Sequence, residues 1–149
     1  MDTSEIEVVA GINQVKKTIA VLSGKGGVGK STTVSLLAII LAKKGLSVGI
    51  LDADLCGPSI PVMLGMKGSI HSCDQGWLPS RIAVGNGSIS AVSLSFLVEK
   101  KDEAVVWRGP KKTAMIKQFV TDVCWGKLDV LLVDTPPGEA LFLFFHKTC

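Results

Sequence analysis

Residues 24–31 read Gly24-Lys25-Gly26-Gly27-Val28-Gly29-Lys30-Ser31. That is the spacing G-x-x-x-x-G-K-[ST], a phosphate-binding loop, and the chemistry it serves is the holding of a nucleoside polyphosphate. Glycines let consecutive backbone N–H groups turn inward on phosphate oxygens, a geometry that side chains block. Lys30 brings a point charge to the β- and γ-phosphates, as a binding and a catalytic candidate, and the Ser31 hydroxyl is a ligand for Mg²⁺. Thr32, next in the chain, joins the candidate binding set. Lys25 is a second lysine near the loop's start. It is either a solvated surface lysine or a catalytic charge that reaches the phosphates of a facing subunit, as an arginine finger does in trans.

Three carboxylates fit the same chemistry. Asp134 follows the apolar run 130–133 and matches the pattern of a second nucleotide-binding motif, whose carboxylate orders Mg²⁺ directly or through water. Asp52 and Asp54 end another apolar run. Asp54 is the candidate to orient an attacking water, and Asp52 the candidate to support Mg²⁺ or Ser31. An aspartate at a strand end also serves as a cap or turn residue; the phosphate loop in the same chain favours the ligand reading. Residues 134–138, Asp134-Thr135-Pro136-Pro137-Gly138, read as a switch in which Gly138 is a hinge and an N–H donor.

The elements that must position these residues follow from periodicity. Residues 18–23 read as a buried strand feeding the loop, and residues 30–44 as the helix leaving it, so the loop caps a helix N-terminus where the dipole favours anions. Leu36, Leu37, Ile40 and Leu41 stand at helical spacing, and Gly45 is the stop. Strands are expected at 47–51, 88–94 and 128–133, with a short extended segment at 105–107. A short helix is expected through Val62, Met63 and Leu64, ended by Gly65. Residues 66–87 read as loop with a hairpin around Trp77. Pro110 suits the first turn of a helix to about 125, with Met115, Ile116, Phe119, Val120 and Val123 on one face. This alternation implies an α/β, doubly wound, mostly parallel sheet, whose ligands bind beyond the carboxyl ends of the strands.

Composition bounds the rest. The chain has 149 residues, 47% hydrophobic and 5% aromatic with no Tyr, which suits one domain with an aliphatic core. A net charge of +3, with dispersed lysines, does not argue for nucleic acid. No signal peptide or membrane-spanning run is expected, so a cytoplasmic protein is. The cysteines at 56, 73, 124 and 149 form no C-x-x-C pair and read as free thiols. His71 and Cys73 are two ligand types in a loop and do not by themselves make a metal site.

The loop with its early lysine resembles the deviant phosphate loop of the MinD/ParA/Mrp group of dimeric ATPases. Residues 52–61 (DADLCGPSIP), 107–112 (WRGPKK), 116–119 (IKQF) and 134–138 (DTPPG) narrow the resemblance to the Mrp/Nbp family, over residues from about 10 to 138. The resemblance implies a P-loop NTPase-type fold, ATP and Mg²⁺ binding, slow hydrolysis, and scaffold work in cytosolic iron–sulfur cluster assembly for apo iron–sulfur proteins. It also implies a homodimer, or a hetero-dimer or tetramer with a longer Nbp-type paralogue, a transient [4Fe-4S] cluster bridging two subunits, and a cytoplasmic location that extends to the nucleus. No cysteine-rich N-terminal extension like that paralogue's is expected, and the sequence resembles the shorter partner.

After Gly138 the sequence departs from the family. Residues 139–149, EALFLFFHKTC, replace a small hydroxyl residue and an acidic stretch, and read as an alternative ending. The organisation expected is a leader at 1–17, a partial P-loop NTPase domain at 18–138 and a divergent apolar tail at 139–149. The domain is then incomplete, its C-terminal half missing together with the family's paired C-x-x-C cluster ligands and its adenine-binding residues. No iron–sulfur ligand is assigned in this chain. Strand 18–23 would be left as an apolar edge, so weak stability or reliance on a partner is expected. Two other functions stay open: a non-enzymatic isoform that competes for the dimer partner, and a MinD/ParA-like positioning ATPase. The second requires a DNA-binding surface or a membrane helix, and neither is visible.

Overall fold

The structure, a computed structural model, describes residues 11–54, 60–66, 70–93 and 109–136. Its central sheet contains β1 (Thr18–Val21), β2 (Ser47–Asp52), β5 (Ser80–Val84), β6 (Gly87–Ser93) and β7 (Val130–Asp134) in the order β1-β7-β2-β6-β5. Strands β1, β7, β2 and β6 run parallel, and β5 is antiparallel to β6. Two further strands, β3 (His71–Cys73) and β4 (Gly76–Leu78), form a separate antiparallel hairpin. The helices are α1 (Lys30–Lys43), the four-residue α2 (Ile60–Met63) and α3 (Gly109–Asp122).

The apolar runs in β2 and β7 are continuous because both faces of the sheet are covered. Side chains alternate across a strand. Val130 and Leu132 join Val48, Ile50, Ile89 and Ala91 in one core with Val34, Ala38 and Ala42 of α1. Leu131 and Val133 join Leu51 and Val92 in a second core with Phe119, Val120 and Val123. One helix thus covers each face, the doubly wound arrangement expected.

The buried stripe of α1 differs from the expected one. Leu36 and Ile40 are 56% and 53% exposed, and the face against the sheet is Val34, Ser35, Ala38 and Ala42, with Leu37 and Leu41 partly buried. Apolar residues surround most of this helix, so periodicity does not choose a face. The small side chains at 35, 38 and 42 do, because they let the helix lie close to the strands.

Residues 66–87, expected as loop and hairpin, hold more strand than that. The hairpin around Trp77 is present, and β5 follows it, joined to β6 by the two-residue turn Gly85-Asn86. That turn is the hairpin signal in the sequence. Trp77 packs edge-on against Phe119 with ring centroids 5.1 Å apart, which seats the hairpin on α3. Residues 11–16 run alongside the segment after α3: the Gly11 N–H donates to Val123 and the Lys16 N–H to Leu128. β1 is the sheet's edge among the described residues, with Ile19 and Leu22 of its neighbourhood 41% and 48% exposed. The expected segment at 105–107 and the tail at 139–149 lie outside the described residues, as do Cys56, Gly138 and Cys149.

Candidate functional site

The parallel register decides what meets at the sheet's carboxyl edge. Val21 stands beside Asp134, Asp134 beside Asp52, and Asp52 beside Ser93, a single row across four strands. Asp134 has the parity of Val130 and Leu132, and Asp52 that of Val48 and Ile50, so both point to the face that α1 covers. The phosphate loop leaves β1 and delivers the first turn of α1 to that face.

Gly27 and Gly29 take positive φ of 73° and 87°, the left-handed backbone that glycine adopts without steric cost and that folds the loop around its own N–H groups. Gly29 caps α1 with no side chain, and Ser23 and Thr33 brace the loop through hydroxyl bonds to the Lys25 and Gly29 carbonyls, each 3.0 Å. A cavity of about 300 Å³ opens at this point, lined by residues 25–32 with Ser23, Asp54 and Met63. Lys25, Gly26, Val28 and Thr32 therefore sit on its wall, and Gly24 precedes it in the exposed loop.

Asp134 is the hub. It is fully buried, pairs with the Lys30 ammonium, and accepts a 2.5 Å hydrogen bond from the Ser31 hydroxyl. The Lys30 side chain is only 7% exposed, so this pair is shielded from solvent. Thr135 fixes the end of β7: its hydroxyl donates to the Val21 carbonyl at 2.9 Å, and the Ala53 N–H donates to the Asp134 carbonyl at 2.9 Å.

Asp52 has different company. Its carboxylate accepts from the Ser93 hydroxyl at 3.1 Å and the Asp54 N–H at 3.2 Å, while Ser31, its other expected partner, is held by Asp134. Burial is the main reason that its pKa is pushed up to about 6; the neighbouring Asp134 charge adds to this, and the hydrogen bonds oppose it. Asp54 reaches the cavity wall instead. Thr135 was expected only as part of the switch and Ser93 only as part of a strand; neither was assigned the bond it makes. Thr135 had a signal in its place beside Asp134, whereas Ser93 gains its role only from register.

A phosphate loop on a parallel sheet, with a strand-end aspartate holding its lysine and serine, defines a nucleotide-binding P-loop protein. The family model described as "ParA: NUBPL iron-transfer P-loop NTPase" matches residues 14–140, and the chain belongs to that family. It is similar to the cytosolic Fe-S cluster assembly factor NUBP2 of Homo sapiens, 63% identical over 127 residues, which span 85% of this chain and 46% of the human protein. The zebrafish (Danio rerio) factor of the same name is 58% identical over 130 residues, spanning 87% of this chain and 48% of that protein. A nucleotide-binding protein from Archaeoglobus fulgidus, solved in complex with ADP, superposes with a TM-score of 0.68 at 42% identity, over 85% of this chain and 47% of that one. The chain thus spans about half the length of the relatives it matches. Among the described residues no helix is long and apolar enough to cross a membrane, and no group of three or more His, Cys, Asp or Glu side chains is placed to hold a metal ion.

Proposed function

We propose that this chain binds Mg²⁺·ATP through residues 24–32 and hydrolyses it slowly, as the nucleotide-binding part of a cytosolic iron–sulfur cluster assembly scaffold. The observation that carries the reading is the convergence of Lys30 and Ser31, which line the loop cavity, on buried Asp134 behind them. The donors suit the ion: Ser31 and Asp134 offer hard oxygens beside a phosphate cradle, the ligand set that Mg²⁺ prefers. When bound there, Mg²⁺ would neutralise charge on the β- and γ-phosphates.

The chain's own residues do the rest. The loop N–H groups hold phosphate oxygens, and Lys30 leaves Asp134 for the γ-phosphate. Asp134 keeps Ser31 in place and would order the ion directly or through water. Asp54, on the cavity wall, orients the attacking water. Asp52, beside Asp134 in register, would lend further support to Mg²⁺. Lys25, exposed at the loop, reaches the phosphates of a facing subunit. That subunit is a second copy or a longer Nbp-type paralogue, and apo iron–sulfur proteins are the recipients. The relatives' names carry the cytosolic location and the assembly role, and the [4Fe-4S] cluster is cargo whose ligands are not assigned here.

The test is calorimetric titration of the full chain with Mg²⁺·ATP, Mg²⁺·ADP and Mg²⁺·GTP, beside phosphate-release assays. Saturable adenine-nucleotide binding that Lys30→Ala removes supports the reading. Equal heats for wild type and Lys30→Ala would end it.

A further inference from the structure

The β3–β4 hairpin and the end of α3 bring together two thiols that lie 51 positions apart in sequence. Cys73 Sγ is 3.7 Å from Cys124 Sγ. We propose that Cys73 and Cys124 form a reversible dithiol–disulfide pair, a thiol modification site that cross-links the β3–β4 hairpin to the segment after α3.

The backbone holds the pair together without help from sulfur. The Cys124 N–H donates to the Trp77 carbonyl at 2.8 Å, and Trp77 also bridges to Val123. Gly76, opposite Cys73 in the hairpin, lies so near α3 that a Cβ there would stand 1.9 Å from the Asp122 carbonyl oxygen. The two sulfurs are in contact, and side-chain rotation need only bring them to the bond length of about 2.0 Å. Neither cysteine lines the nucleotide cavity, so the pair is separate from that site. Two sulfurs with no third ligand among the described residues make a redox pair rather than a metal centre.

The two thiols have distinct roles. Cys124 is buried, and burial pushes its thiol up to about 11. Cys73 is half-buried and meets the oxidant first. The co-reactant is a low-molecular-weight disulfide such as oxidised glutathione. The Cys73 thiolate attacks one of its sulfurs, the small disulfide bond breaks, and the departing thiolate takes up a proton. The Cys124 thiol then gives its proton to water, and its sulfur attacks Cys73 and expels the second small thiol. Two protein thiols are oxidised, and one small disulfide is reduced to two thiols. Excess thiol reverses both steps.

The test uses the full chain, reduced and then incubated with oxidised glutathione, blocked by alkylation, digested and mapped by mass spectrometry. The expected result is a linked peptide pair joining Cys73 to Cys124, absent after dithiothreitol and absent from Cys73→Ala and Cys124→Ala. Proteolysis within residues 71–78 should slow at least several-fold on oxidation and recover on reduction. The proposal falls if both cysteines remain alkylatable, if bonds form only to Cys56 or Cys149, or if Cys73 retains glutathione that Cys124 never displaces. Circular dichroism of each variant separates loss of the bond from loss of the fold.

Discussion

Replacing Lys30 and Asp134 singly and together tests the centre of the site. The pair is buried, with Lys30 7% and Asp134 0% exposed, so removing one partner strands the other charge away from water. That loss is about 3–5 kcal/mol for a buried ion pair, a large share of the roughly 5–15 kcal/mol that holds a domain together. Lys30→Met keeps the length of the side chain and Asp134→Asn keeps its shape. Each single variant should therefore lower the unfolding free energy, and the double variant should lose less than the sum, by a coupling energy near the upper end of about 0.5–3 kcal/mol. The assay is urea unfolding of the full chain, with and without Mg²⁺·ATP. At a hundredfold excess over its dissociation constant, the nucleotide should stabilise wild type by about 2.7 kcal/mol and leave Lys30→Met unmoved. Single-variant losses that add to within about 0.5 kcal/mol would show that the two side chains do not interact, and the proposed hub would be wrong.

Other consequences are as specific. Asp54→Ala should spare ATP affinity and lower turnover, by about a hundredfold if Asp54 orients the water; a matched loss of binding in titration calorimetry contradicts that role. Lys25→Ala should lower hydrolysis more than ATP binding, and steady-state kinetics at several protein concentrations tests this, because a trans-acting lysine matters only in the dimer. For Asp52, the folded pKa of about 6 exceeds the ordinary 3.8, so its stabilising contribution is full below about pH 4 and is lost as pH rises through 6. Asp52→Asn should then flatten urea midpoints over that window and, at pH 7, be the more stable by up to about 3 kcal/mol; an unaltered pH profile refutes it. Gly76→Ala should destabilise by about 2 kcal/mol or more through overpacking against the Asp122 carbonyl, with wild-type thermal stability as the contrary result.

The loop, the helix after it, and the strands ending at Asp52 and Asp134 were legible because each rests on local chemistry: a glycine spacing, a helix stop, an apolar run closed by a carboxylate. What was not legible depends on neighbours far along the chain. Leu36 and Ile40 share the helical spacing of Leu37 and Leu41, yet tertiary packing exposes the first two. β5 is short and half-buried, and its signal lay in the Gly85-Asn86 turn rather than in a hydrophobic pattern. Cys73 and Cys124 show no motif spacing, because their approach is made by a hairpin docking on a helix. Ser93 is one more serine in sequence; only parallel register beside β2 makes it the hydroxyl that meets Asp52.

That register also explains how two adjacent buried carboxylates come to differ. Asp52 and Asp134 occupy matching positions on neighbouring strands and point to the same face. Two ionised carboxylates side by side in a dry edge repel, and the repulsion must be met by cations or relieved by a proton. The phosphate loop brings its ammonium and hydroxyl to Asp134 alone, through the first turn of α1. Asp52 receives neutral donors, the Ser93 hydroxyl and the Asp54 N–H, and these do not offset its burial, so it takes the upward shift. Were Lys30 to transfer to a phosphate, Asp134 would lose the cation that makes its burial tolerable, and Mg²⁺ bound with the nucleotide would restore positive charge at that point. Nucleotide without Mg²⁺ should therefore bind this site poorly, and titration of the full chain with ATP in the presence of EDTA measures it: affinity equal to that with Mg²⁺ would break the chain of reasoning at Asp134.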